Sequence, residues 1–192
     1  MISTKEIRAF YTNSFIRVYQ AYNNTIADAT IANKRFISPP FKTGRTTWIK
    51  PSFLWMMYRS GWATKENQER ILAIDITHEG FLWAINNACL SHFDNEVYNS
   101  HEEWLACKKK NPVIIQWDPE RDITLNKLDY KTIQIGLSPS VVPKYINEWI
   151  VNIEDITMHC TYIHQLIIQK EISQANDMLP KEVKYHLSGY LN

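Results

Sequence analysis

Short alternating runs of β-branched and aromatic residues recur along this chain, and helix-start signals fall between them. Residues 15–22 put Arg17, Tyr19 and Ala21 on one face and Val18, Gln20 and Tyr22 on the other, the period-two signature of a strand. Further strand runs cover 46–50, 70–76, 113–117, 132–137 and 149–153. Between them, Asn23 or Asn24 caps a helix carrying Ile26, Ala27, Thr30 and Ile31, and residues 38–44 form a Pro-rich loop. Pro51 suits the first turn of a helix that runs to Ser60 and stops at Gly61. Thr77 caps another helix, and Ser100 with Glu103 makes a capping box. Ser138 or Ser140 opens a helix to about Glu148, a long helix covers 154–173, and the stretch after Pro180 reads as loop or turn.

About six short strands interleaved with helices, without Gly-rich turns, argue against a Rossmann sheet. The expected fold is α+β: a single domain over 1–192 with a bent mixed or split β-sheet flanked by helices. With 192 residues, 45% hydrophobic and 21% charged, the chain has material for one real core and is too apolar for disorder. No apolar run approaches the ~20 residues of a membrane helix, and no signal peptide opens the sequence. Three scattered cysteines (Cys89, Cys107, Cys160) show neither a disulfide framework nor zinc spacing, which points to the cytoplasm.

The formal net charge of +1 conceals an asymmetry. Residues 1–74 carry 11 basic and 4 acidic side chains, a surplus of seven positive charges. Residues 75–192 carry 10 basic and 16 acidic ones, a surplus of six negative charges. A basic half of this kind either binds phosphate or nucleic acid or interleaves with the acidic half of its own chain.

Residues 39–62 are densest in chemistry, mixing Lys42, Arg45, Lys50 and Arg59 with Trp48, Trp55, Tyr58 and Trp62. Cations neutralise phosphates, and flat aromatic faces stack bases or a nicotinamide ring. Thr46, Trp48 and Lys50 share a strand face, and Ser52, Trp55, Met56 and Arg59 share a helix face. Together they suggest one concave wall, with the helix start at Pro51–Ser52 offering backbone N–H groups to an anion. Taken alone, the tryptophans read better as core. Gln20 and Gln134 sit in apolar strands, where a buried amide belongs either to a structural network or to a ligand contact. Trp117, Asp118, Glu120 and Arg121 end a strand, as an acid–base cluster or as an Asp-Pro turn with a surface ion pair. The six histidines show no metal-binding spacing, so no metal is expected, and no phosphate-loop or nucleophile-elbow motif occurs. Lys108–Lys110 read as a solvated helix end.

The runs Ile16-Arg17-Val18-Tyr19-Gln20-Ala21-Tyr22-Asn23, Thr46 through Trp62, Gln116-Trp117-Asp118-Pro119-Glu120-Arg121, Ile133-Gln134-Ile135-Gly136 and Trp149 to Asp155 resemble the domain-of-unknown-function 4291 family over about residues 5–187. Arg45-Thr46-Thr47-Trp48 departs from that family's usual Arg-Met-Thr-Trp while keeping its Arg and Trp. The order of elements is also similar to the ADP-ribosyltransferase core, shared by RNA 2′-phosphotransferases and DNA-modifying ADP-ribosyltransferases. That resemblance implies NAD as a cofactor. It implies a first-strand residue holding the nicotinamide ribose, at Gln20 or Arg17, and a late-strand residue orienting the acceptor, at Gln134. A glutamine is no general base, so the departure speaks against glutamate-dependent transfer, while the abundance of arginine is closer to the phosphotransferase type.

The expected function is a nucleotide- or RNA-end-handling transferase. Arg17, Arg45, Lys50 and Arg59 hold phosphates, Ser52 lies beside them, and Trp48 or Trp55 stacks a ring. Gln20 and Gln134 orient a ribose, and Arg59 stabilises developing charge. Two rivals stand beside it: a non-catalytic nucleic-acid-binding module on the same surface, and a protein-interaction domain whose aromatics form an interface core.

Overall fold

The computed structural model describes residues 4–186. In chain order it contains β1 (Arg8–Ala9), β2 (Ile16–Tyr22), α1 (Asn24–Asn33), β3 (Thr47–Ile49), α2 (Phe53–Ser60), β4 (Arg70–Ile76), α3 (His78–Asn86) and β5 (Ala88–Leu90). There follow α4 (His101–Lys110), β6 (Val113–Arg121), β7 (Lys127–Leu137), α5 (Val142–Lys144), a π-helical turn (Tyr145–Trp149), β8 (Ile150–Asp155), α6 (Thr157–Ile168), α7 (Ile172–Asp177) and β9 (Val183–Lys184).

Strand β4 is buried at every position after Arg70, and that continuous apolar run makes it a central strand. It pairs antiparallel with β2 on one side and β8 on the other. A second sheet has the order β3-β7-β6-β5, antiparallel except for the parallel β5–β6 pair. The two sheets meet where the Tyr19 amide N–H donates to the Lys50 carbonyl oxygen at 2.7 Å. The result is two sheets of short strands joined at one bridge and flanked by helices, the α+β class that the strand pattern predicts. A small β1–β9 pair closes the chain.

Both faces of β4 are covered. Leu72, Ile74 and Ile76 face one core with Val18, Ile49, Val113, Ile135, Leu137, Phe81 and Trp149. Ile71 and Ala73 face a second core with Tyr19, Phe53, Met56, Met57 and, from α6, Cys160 and Ile163. Each fully buried Leu, Ile or Phe adds about 1.5–3 kcal/mol of hydrophobic stabilisation, so these two clusters fix the sheet and its helices. Side-chain caps start four helices: Asn23 accepts from Ile26 N, Ser52 from Trp55 N, Thr77 from Gly80 N and Ser100 from Glu103 N. Gly61 ends α2 at φ 61°, a left-handed conformation that glycine adopts without steric cost.

Several elements differ from the sequence pattern. The run 113–117 continues through Asp118 and Pro119 to Arg121, because β7 supplies pairing partners along most of that length. The helix expected from Ser138 or Ser140 is the short α5 plus a π-helical turn, starting at Val142. The long helix expected over 154–173 is α6 and α7, separated at Lys170 with φ 65°. Glu154 and Asp155 belong to β8, where pairing with β4 outweighs helix propensity. The segment after Pro180 contributes β9. No helix among the described residues is long and apolar enough to cross a membrane.

Candidate functional site

Where the two sheets meet lies a cleft of about 590 Å³, the size of a small-molecule site. Its floor is one face of the β3-β7-β6 sheet. Trp48 stands opposite Gly136, and Gln116 opposite Gln134, so alternation along three strands brings these four residues to one side. The other face of the same strands, with Ile49, Ile135, Leu137, Val113 and Ile115, lies in the core. The end of β2 and the start of α1 supply Gln20, Tyr22, Asn23 and Ile26. The loop before β3 supplies Lys42, Arg45 and Thr46, α2 supplies Met56 and Arg59, and the segment before β4 supplies Glu66, Asn67 and Gln68.

Positive charge dominates these walls. Lys42, Arg45, Lys50 and Arg59 line the cleft against the single acid Glu66, and among the described residues none of the four forms an ion pair. Arg59 donates a long hydrogen bond to Gln68 Oε1 at 3.5 Å, while Lys42 and Arg45 are exposed. Lys50 is 7% exposed, and its Nζ donates to the Trp48 carbonyl at 3.4 Å. Burial, reinforced by the neighbouring Arg59 charge, pulls the Lys50 pKa down to about 7 against a weaker opposing pull from Asp118.

Asp118 lies beside the floor, on the same face of β6 as Gln116. It accepts from Gln116 Nε2 at 2.9 Å and from Gln134 Nε2 at 2.7 Å. Both amides are thereby oriented, which leaves their carbonyl oxygens as acceptors for a hydroxyl or amine in the cleft. Gln20 is held at both ends: Nε2 donates to the Trp48 carbonyl at 3.0 Å, and Oε1 accepts from Tyr145 Oη at 2.9 Å. These groups can bind anions, offer an aromatic face and accept hydrogen bonds. Among the described residues no cluster of His, Cys, Asp and Glu is able to hold a metal ion.

A family model described as a domain of unknown function (DUF4291) matches residues 6–185. The chain belongs to the DUF4291 family. No curated protein gives a match. The matched span includes every cleft residue named above, as well as the strands of the floor.

Of the residues singled out by sequence, Gln20, Arg45, Trp48, Lys50, Arg59 and Gln134 line the cleft. Arg17 does not. It lies on the opposite face of β2, paired bidentately with Asp75 at 2.7 and 3.0 Å, with Glu154 at 3.7 Å. Arg70 likewise pairs with Asp155 and Asp28. Charge in the basic half therefore divides, with Arg17 and Arg70 meeting acids while the cleft cations meet none. Ser52 is buried beneath α2, donating to Glu120 Oε1 at 2.8 Å. The helix start proposed for an anion is occupied by the protein's own carboxylates, since Glu182 Oε1 also accepts from Phe53 N at 2.7 Å. Trp55 is 6% exposed and packs beside Tyr58, with Lys50 Nζ 5.8 Å from its ring centroid.

Trp117, Asp118, Glu120 and Arg121 form neither an acid–base cluster nor a turn with a surface ion pair. Gln116 and Asp118 share one face of β6, with Gln116 lining the cleft and Asp118 beside it, while Trp117 lines a separate cavity of about 510 Å³ with His92 and Lys131. Glu120 accepts from the hydroxyl of Ser52, the α2 cap, and burial raises its pKa. Arg121 stacks on Tyr58, with its guanidinium carbon 3.6 Å from the ring centroid. Sequence reasoning missed Gln116, Asn67 and Gln68. For Gln116 a signal exists, since it alternates in phase with Asp118 in an apolar strand, but its register opposite Gln134 is visible only once the strands are paired.

Proposed function

We propose that the cleft binds a nucleotide or the end of a nucleic acid, as the substrate-binding site of a transferase that acts on it. The observation that carries this reading is the convergence of Lys42, Arg45 and Arg59, none of which forms an ion pair among the described residues, around the half-buried Trp48 indole. Arginine and lysine at a partly enclosed wall neutralise phosphate, and the indole offers a stacking face to a base. Gln116 and Gln134 supply acceptors for ribose hydroxyls. Arg45 and Arg59 provide the charge that stabilises a transferring phosphoryl group.

The chain's residues do not fit glutamate-dependent ADP-ribosyl transfer from NAD. Gln20 is engaged by Trp48 and Tyr145, Arg17 lies on the far face with Asp75, and Gln134 has no carboxylate of its own. NAD enters only as one phosphorylated ligand among those to be tried. The engaged amides also favour the rival reading of a binding module without catalysis.

Titration with AMP, NAD, ADP-ribose and short single-stranded RNA, followed by tryptophan fluorescence and thermal shift, tests the reading. Quenching by any of the four that weakens as salt rises supports a phosphate cleft, and turnover of a bound ligand separates transferase from binding module. No response to any of them overturns it.

A further inference from the structure

Lys50 stands apart from the other lysines. Among the described residues it is the one buried lysine, yet it lines an open cleft. Its backbone is fixed by the Tyr19 N–H bond that joins the sheets. Among the described residues its amine makes one long hydrogen bond, to the Trp48 carbonyl at 3.4 Å, and no ion pair. Trp55 lies below it, and Arg59 stands near enough to oppose its charged form. A lysine desolvated beside another cation keeps its lone pair at neutral pH, and such an amine is a nucleophile toward carbonyl carbon.

We infer that Lys50 forms a Schiff base with a phosphorylated aldose in its open-chain aldehyde form, the phosphate being held by Arg45 and Arg59. This rests on the phosphate-binding part of the proposed reading and goes beyond it to a second substrate class, since a nucleotide carries no free aldehyde for the amine. The neutral Nζ attacks the aldehyde carbon, a C–N bond forms, and the carbonyl π pair moves to oxygen. That oxygen takes one proton from the nitrogen to give a carbinolamine. Loss of the hydroxyl with the second nitrogen proton, as water, leaves the C=N bond, so amine and aldehyde become imine and water. The carbonyl oxygens of Gln116 and Gln134, turned outward by Asp118, accept from the sugar hydroxyls.

The test uses the full chain with ribose 5-phosphate and cyanoborohydride, read by intact mass and peptide mapping. Ribose serves as the phosphate-free control and AMP as the competitor without an aldehyde. The expected result is one adduct on Lys50, with the mass of ribose 5-phosphate less one oxygen. It forms about ten-fold faster than with ribose, because the cations hold the phosphate. AMP suppresses it, Lys50→Arg abolishes it, and Arg45→Ala slows it about ten-fold. Should Lys50→Arg fail to fold, the wild-type peptide map with and without AMP decides alone. Labelling spread over exposed lysines such as Lys108–Lys110, or no adduct at all while AMP still quenches fluorescence, overturns the inference and leaves the cleft reading standing. No adduct and no AMP response removes both.

Discussion

The Trp48 indole lies face-on against Gly136. A Cβ built on Gly136 would sit 3.0, 3.0 and 3.1 Å from three atoms of the six-membered ring. Three near-equal distances mean that the ring covers the backbone of the neighbouring strand, and that only a residue without a side chain fits beneath it. Gly136→Ala therefore lifts the indole from the cleft floor. The expected outcome is a stability loss of about 1–3 kcal/mol by urea denaturation, typical of overpacking, with a shifted tryptophan emission. Unchanged emission and stability would show that the ring has another place to rest.

Arg17 and Arg45 carry the same charge and should behave oppositely. Arg17→Met strands the Asp75 carboxylate, whose side chain is 4% exposed, and should cost about 2–4 kcal/mol with no effect on nucleotide affinity. Arg45→Ala should leave stability within about 0.5 kcal/mol, because Arg45 is exposed and without an ion pair. It should weaken AMP or RNA binding about ten-fold and lower the salt slope by about one. Chemical denaturation beside binding isotherms at several salt concentrations separates the two.

The Lys50 amine should leave a signature in stability against pH. Its folded pKa of about 7 lies below the unfolded value of 10.5, with Arg59 and Asp118 as the charged groups that act on it. Below pH 7 both states hold the proton and the full burial cost is felt. Between the two values only the unfolded state holds it, so this residue makes stability rise with pH. From pH 7 to pH 9 its contribution grows by about 2 kcal/mol. In Lys50→Met that growth should vanish, which urea midpoints at the two pH values measure.

Glu182 should show the opposite sign. Its carboxyl is enclosed at the α2 start, and burial, then the Glu120 charge, holds its pKa well above the ordinary carboxylate range. A group whose folded pKa is raised costs stability as pH climbs above the unfolded value of about 4.5. Glu182→Gln keeps an oxygen for the Phe53 N–H and removes the carboxyl whose ionisation the folded state resists. It should raise Tm at pH 8 by about 2–4 °C, the shift of roughly 1 kcal/mol in a chain of this size, and change little at pH 4. Equal shifts at both pH values would count against a charge effect.

Much of the scaffold was legible because its signals are local. The alternation over 16–22, the buried run 70–76, the Asn23, Thr77 and Ser100 caps and the Gly61 stop all act within a few residues of themselves, whereas α2 starts at Phe53 with Ser52 as its cap and not at Pro51. Non-local pairing decided the rest: β6 runs through Asp118-Pro119 because β7 lies beside it, and β8 keeps Glu154 and Asp155 extended because β4 does.

The sequence by itself determined the α+β class, the strand faces and the concentration of cations and tryptophans between residues 39 and 62. Tertiary structure decided which of those charges meet a partner. Arg17 and Arg45 are indistinguishable in composition, but β2 turns one toward Asp75 on β4, while the loop before β3 turns the other toward the cleft. Ser52 offers a helix start to any anion until Glu120 and Glu182, 68 and 129–130 residues further along the chain, fill it. Coulomb interactions and desolvation depend on separations of a few ångströms, and sheet pairing across the chain sets those separations.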